Sequence, residues 1–153
     1  MEKTQKRTKG HGGRKPTQLE SLQVHKVFVE LQMYLLRAVY SGTMPKWLKN
    51  SVGLSLSNTM NFCVECLSVV ACSYNTQEKI EHLRLFVRGW NTAFHHIYIL
   101  GELGGLTKKQ RNVILTKRLS VEEQLSAFHR WLEQCKQQPS AANDRSPKTD
   151  SAL

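Results

Sequence analysis

The sequence predicts an all-α protein: an up-down-up-down four-helix bundle with a disordered basic N-terminal arm and a polar C-terminal tail. Three observations carry this expectation. Apolar residues recur at three- and four-residue steps through four long segments. The segments are separated by short breaks at Ser41-Gly42, Asn75-Thr76 and Gly104-Gly105. Short connections make consecutive helices antiparallel neighbours, and no stretch requires a strand. A chain of 153 residues has room for one domain. The expected division is an arm at 1–16, a bundle at 17–135 and a tail at 136–153.

The arm, MEKTQKRTKGHGGRKP, has no apolar period and holds six Lys or Arg against one Glu. It cannot bury enough surface to order itself. A first helix is expected over 17–40, with Leu22, Val27, Leu31, Tyr34, Leu35 and Ala38 on its core stripe. At Thr43-Met44-Pro45-Lys46 a loop becomes a helix, because Pro suits a first turn whose N–H groups lack partners anyway. The Thr43 hydroxyl is expected to cap that turn.

The second helix, over 45–74, places Leu48, Val52, Leu56, Met60, Cys63, Leu67, Val70 and Tyr74 toward the core. Lys46 and Lys49 share one side of its opening turn, so a basic face and a buried face begin together. The third helix follows Asn75-Thr76, with Glu78 early and a stripe of Ile80, Leu83, Val87, Trp90, Phe94 and Ile97. Leu85 and Ile99 fall nearly opposite that stripe, where a lone bundle would leave them in water, a hint of self-association. The fourth helix is expected behind Thr107, whose hydroxyl can cap the turn containing Gln110. It continues through Ile114, Val121, Leu125, Phe128 and Leu132 to about residue 135. Residues 137–153 have almost nothing to bury.

The formal charge of +10 favours a polyanionic partner, since Lys and Arg displace counterions from a nucleic-acid backbone, although an anionic membrane would satisfy the same charge. Charged and polar residues interrupt every apolar run before the roughly 20 residues a bilayer span needs. The four cysteines come with a polar N-terminus lacking the apolar core of a signal peptide, so free thiols in a reducing cytoplasm are expected.

The order of features is itself informative: a helix ending in Tyr40, the Met44-Pro45-Lys46 junction, Gly53, a Cys/Leu/Val-rich second helix, Leu83-Arg84 on the third, and Phe128-His129-Arg130-Trp131 late on the fourth. In this order and spacing, over about residues 22–135, the chain resembles a four-helix-bundle family. That family contains the accessory variability determinant of diversity-generating retroelements (Avd) and the intervening-sequence proteins of large-subunit rRNA. For retroelement members the resemblance implies a basic homopentamer. It would bind the element's reverse transcriptase and nucleic acid, supporting mutagenic copying of a template RNA without catalysing it. An intervening-sequence-type bundle without a reverse transcriptase is the alternative the same resemblance leaves open. The arm and the tail lie outside the likeness.

Several residues carry candidate chemistry. Arg84, Arg88, Asn91 and His95 fall on one stripe of the third helix away from the core, and each arginine can meet a phosphate as a two-pronged fork. Arg111 and Arg118 share a side of the fourth helix, with Lys108, Lys109 and Lys117 nearby, and their stems can pack while their heads reach out. With Lys46, Lys49, Arg14 and Lys15 these make up the expected nucleic-acid contacts, against the plainer reading of a solvated face.

Arg88 and His95 also match the Arg, six residues, His spacing of HEPN-type ribonucleases, in which His would transfer a proton beside a phosphate-binding Arg. No second acid-base pair accompanies them, so no catalytic residue is expected. Cys63 and Cys66 form a CxxC on a helix that His95, His96 or His129 could extend toward zinc. Cys63 occupies a core position and no second matched pair exists, so packing is the expected role and no metal is assigned. Trp90 lies on the core stripe, while Trp47 and Trp131 flank theirs. There is no Gly-rich phosphate loop, Ser-His-Asp order or zinc-protease helix, and no cofactor is expected.

Overall fold

The computed structural model describes residues 22–137. Among these residues there are four long helices and no strand: α1 Gln23–Val39, α2 Lys46–Cys72, α3 Thr76–Glu102 and α4 Lys108–Gln137. The arm at 1–16, the start of the expected first helix at 17–21 and the tail from 138 onward lie outside the described residues. Helix α4 runs two residues past the expected end.

Local chemistry accounts for the helix limits. Asn75 accepts at Oδ1 from the N–H groups of Gln77 (2.9 Å) and Glu78 (3.3 Å), supplying partners that the first turn of α3 lacks. At α4, Gln110 N–H donates to Thr107 Oγ1 (3.1 Å) while Thr107 N–H donates to Gln110 Oε1 (2.9 Å), a reciprocal capping box. Helix α3 ends where Gly104 takes a left-handed φ of 77°, open to glycine without strain.

The expected cap at Thr43 is not formed. Pro45 itself occupies the N-cap position of α2, with extended backbone at φ −56° and ψ 138°. Thr43 is turned away into the loop, its hydroxyl 2.9 Å from Ser41 Oγ, which in turn donates to the Ala38 carbonyl. The loop's polar groups therefore close on the end of α1 instead of the start of α2.

Just inside α2, residues Lys49–Gly53 form a π-helical turn. The wider turn holds an extra residue and moves the buried position from Val52, which is half-buried, to Gly53. A Cβ at Gly53 would lie 2.8 Å from Val39 Cγ1, so the absence of a side chain lets the two helices meet.

The main core draws on all four helices, with Phe28, Leu31 and Leu35 of α1, Leu56, Met60, Cys63 and Leu67 of α2, Phe86, Trp90 and Leu100 of α3, and Ile114 and Val121 of α4. Burying each large side chain contributes about 1.5–3 kcal/mol. At its centre the Phe28 ring meets Phe86 edge-on at 5.4 Å, and Trp90 meets Phe94 edge-on at 4.6 Å. A smaller cluster of Val70, Ile80, Leu83 and Leu132 extends it.

Three expectations about the stripes need correction. Tyr74 is 98 % exposed, because α2 ends at Cys72 and the chain has already turned away. Val87 is 40 % exposed and Phe86 is buried in its place; both lie at helical spacing from Leu83, and contact with Phe28 selects the larger ring. Leu85 and Ile99 are half-buried, with Leu85 packed on the edge of the core.

Successive helices touch in reversed order along the chain. Gln32 of α1 reaches Asn61 of α2, and Tyr40, the C-cap of α1, reaches Ser57. Cys63 Sγ lies 3.9 Å from the Phe86 carbonyl, and Leu48 packs against Gly105 just beyond α3. Phe94 and Gly101 of α3 contact Arg118 and Arg111 of α4. Backbones approach most closely between α2 and α3 and between α1 and α4, and much less closely between α3 and α4.

Contrary to the expectation that no segment approaches a bilayer span, α2 is long and apolar enough to cross a membrane by length and composition. A core helix satisfies the same measure, and Leu56, Met60, Cys63 and Leu67 of α2 are in the core.

Candidate nucleic-acid interface

Helix α3 is amphipathic, and its buried face is made by Leu83, Phe86, Trp90, Ala93 and Ile97. The opposite side carries Arg84, Arg88, Asn91 and His95, all exposed as their spacing predicts. Neither arginine head group has an ion-pair or hydrogen-bond partner among the described residues. They stand one turn apart, about 6 Å along the helix axis.

This ridge separates two grooves. The looser α3–α4 approach leaves one of about 580 Å³, with Ile80, Leu83, Val87 and Leu125 forming an aliphatic floor and Arg84, Arg88 and His129 on its lining. The other, about 480 Å³, lies between α2 and α3 and is lined by Asn58, Thr59, Phe62, Leu85, Arg88, Gly89 and Thr92. Arg88 borders both. Sequence reasoning missed Phe62 and Asn58, whose only signal was an aromatic residue lying off the α2 stripe beside Cys63.

The remaining cations divide into two kinds. Lys46, Lys108 and Lys109 are exposed and Lys49 is half-buried. Met44 and Leu48 pack against Gly105, so the start of α2 lies beside the α3–α4 connection and these lysines share one end of the molecule. Helical rise separates that end from Arg88 by about 25 Å.

Arg111 and Arg118 are engaged within the fold. The Arg111 guanidinium donates to the Gly101 carbonyl in the last turn of α3, where the helix dipole favours a cation. Arg118 stacks over Phe94 and bonds Glu122. Lys117 is half-buried beside it. Arg14 and Lys15 lie outside the described residues.

Arg88 and His95 are both exposed on α3, with about 10 Å of helical rise between their backbones. The neighbouring His96 is half-buried, and burial, reinforced by His95, lowers its pKa. Cys63 is buried, and burial pushes its thiol up to about 12, with Cys66 adding to the shift. A thiol held neutral is neither a good nucleophile nor a good metal ligand. Among the described residues, no group of three or more His, Cys, Asp or Glu is placed to hold a metal ion. Trp90 is buried with its indole N–H unpartnered, whereas Trp47 and Trp131 are exposed.

Comparison with protein-family models finds none that matches the chain, and comparisons with curated proteins and with solved structures find no match either. Among the described residues, fold and site together define an all-helical body with an arginine ridge, unpaired there, between two grooves.

Proposed function

We propose that the chain is an up-down-up-down four-helix bundle acting as a non-catalytic, nucleic-acid-binding accessory protein of a diversity-generating retroelement. It holds template RNA or cDNA on its cationic face while the element's reverse transcriptase copies it mutagenically, and it assembles as a homopentamer in the cytoplasm. The observation that supports binding is the pair Arg84 and Arg88, exposed and without partners among the described residues, on a chain of formal charge +10. Desolvating and ordering an arginine costs free energy, and a phosphate that accepts from its fork offsets that cost. The retroelement setting and the polymerase partner rest on the resemblance described from the sequence.

The test is RNA binding by the Arg84→Ala/Arg88→Ala variant across a salt series. Loss of two phosphate contacts should weaken binding and flatten the dependence of log K on log salt by about 1.4, at about 0.7 per contact for a single strand. Circular dichroism should be unchanged, because both side chains are exposed. Binding equal to wild type at every salt concentration would reject this face. Whether a reverse transcriptase is encoded beside the gene and co-purifies with the chain tests the partner, and native mass tests the pentamer.

A further inference from the structure

We infer that the groove between α2 and α3 is a base-stacking subsite for single-stranded nucleic acid, in which Phe62 takes the face of one unpaired base while Arg88 holds the adjoining phosphate. This rests on the nucleic-acid reading above and assigns the groove that the arginine ridge serves. Phe62 is 40 % exposed although it sits one residue from the buried Cys63. Its ring edge lies over Gly89, where a Cβ would come within 3.0 Å of Cδ1, so the missing side chain at 89 lets the ring lie in the groove. A partly exposed ring in the same groove as a guanidinium that has no partner among the described residues matches the two needs of a single strand, a π-face for the base and a cation for the backbone.

The α3–α4 groove shares Arg88 but has an aliphatic floor, with His129 beside the Glu133 carboxylate on its lining and no Phe, Tyr or Trp among its lining residues. The polar lining also selects among bases. Thr59 donates its hydroxyl proton to the Ser55 carbonyl at 2.9 Å, and Thr92 donates to the Arg88 carbonyl at 3.0 Å. With those protons committed, both oxygens face a ligand as acceptors only, and Asn58 supplies either role. Acceptors favour a base that carries an exocyclic amino group. Adenine has one, with two N–H donors, and stacks strongly; uracil offers only its single ring N3–H as a donor and stacks weakly. The subsite therefore prefers adenine to uracil.

The experiment measures binding of fluorescein-labelled oligoadenylate and oligouridylate to the full chain, comparing wild type, Phe62→Leu and Phe62→Trp over a salt series. Leucine keeps an apolar cover over Gly89 but removes the ring. Oligoadenylate affinity should fall roughly five- to hundred-fold in Phe62→Leu with the salt slope unchanged, and Phe62→Trp should restore it. The loss for oligouridylate should be smaller. If Phe62→Leu, with native circular dichroism, binds oligoadenylate within about two-fold of wild type, the stacking site is overturned while the arginine ridge stands. A loss that flattens the salt slope or is not restored by Trp also overturns it. Failure of the wild-type chain to bind either oligonucleotide at low salt overturns both proposals.

Discussion

The guanidinium carbon of Arg118 lies 4.0 Å from the centre of the Phe94 ring, and Nε of the same side chain donates to Glu122 Oε1 at 2.9 Å. Phe94 in turn packs edge-on against Trp90 in the core. The arginine therefore ties the solvent side of α4 to the aromatic centre of the molecule.

From this follows a separation of stability from binding. Replacing Arg118 with Ala should cost about 1 kcal/mol, the sum of a partly exposed cation–π contact and a surface ion pair. That corresponds to a drop of a few degrees in Tm. RNA affinity should fall less than in the Arg84→Ala/Arg88→Ala variant, whose head groups have no partner among the described residues. Thermal unfolding and RNA titration of both variants check the contrast. Lysine at 118 should restore charge but not the full stability, because it cannot stack its head group as a plane.

The π-helical turn makes a second expectation. In an ordinary helix interior, Gly to Ala stabilises by up to about 1 kcal/mol. At Gly53 the new methyl would meet Val39 Cγ1 at 2.8 Å, and forcing such a contact costs about 1–3 kcal/mol. Gly53→Ala should therefore lower stability despite its better helix propensity. Gly42, with nothing within 4 Å of its would-be Cβ, is the control, and Gly42→Ala should be neutral or slightly stabilising. Urea unfolding of the two variants measures the difference.

Burial of titratable groups predicts both flanks of the pH profile. The Cys63 thiol is raised to about 12, so between pH 9 and 12 the unfolded chain holds fewer protons at this site than the folded one, and its contribution to stability is lost as pH rises. The His96 pKa is lowered, so below pH 6.5 the unfolded chain binds the proton first and stability falls with falling pH. Denaturant titrations of His96→Gln should show a flatter acid flank than wild type. At neutral pH, iodoacetamide followed by peptide mass mapping should label the exposed Cys72 and leave Cys63 unmodified until the protein unfolds.

Helix limits were legible wherever a short-range group sets them. Asn75 and Thr107 cap their helices by reaching two or three residues along the chain, and Gly104 ends α3 through its own backbone freedom. Thr43 looked like the same kind of signal, yet Pro45 takes the N-cap position two residues further on, and the loop leaves the Thr43 hydroxyl beside Ser41. The ridge of Arg84, Arg88, Asn91 and His95 was legible too, since helical spacing alone places residues on a common side. Phe62 was not. Whether an off-stripe aromatic is covered or left open depends on what the neighbouring helix offers opposite it, and here that is Gly89.

Taken alone, the amino-acid order determined that the chain is helical, where three of its helices start or stop, and which cations share a face, because these depend on interactions within one or two turns. Only the tertiary structure decided that Phe86 and not Val87 enters the core, that Gly53 replaces Val52 at the helix crossing, and that Arg111 and Arg118 are held while Arg84 and Arg88 have no partner among the described residues. A periodic pattern is compatible with several neighbouring faces, and packing against a particular partner helix selects one of them.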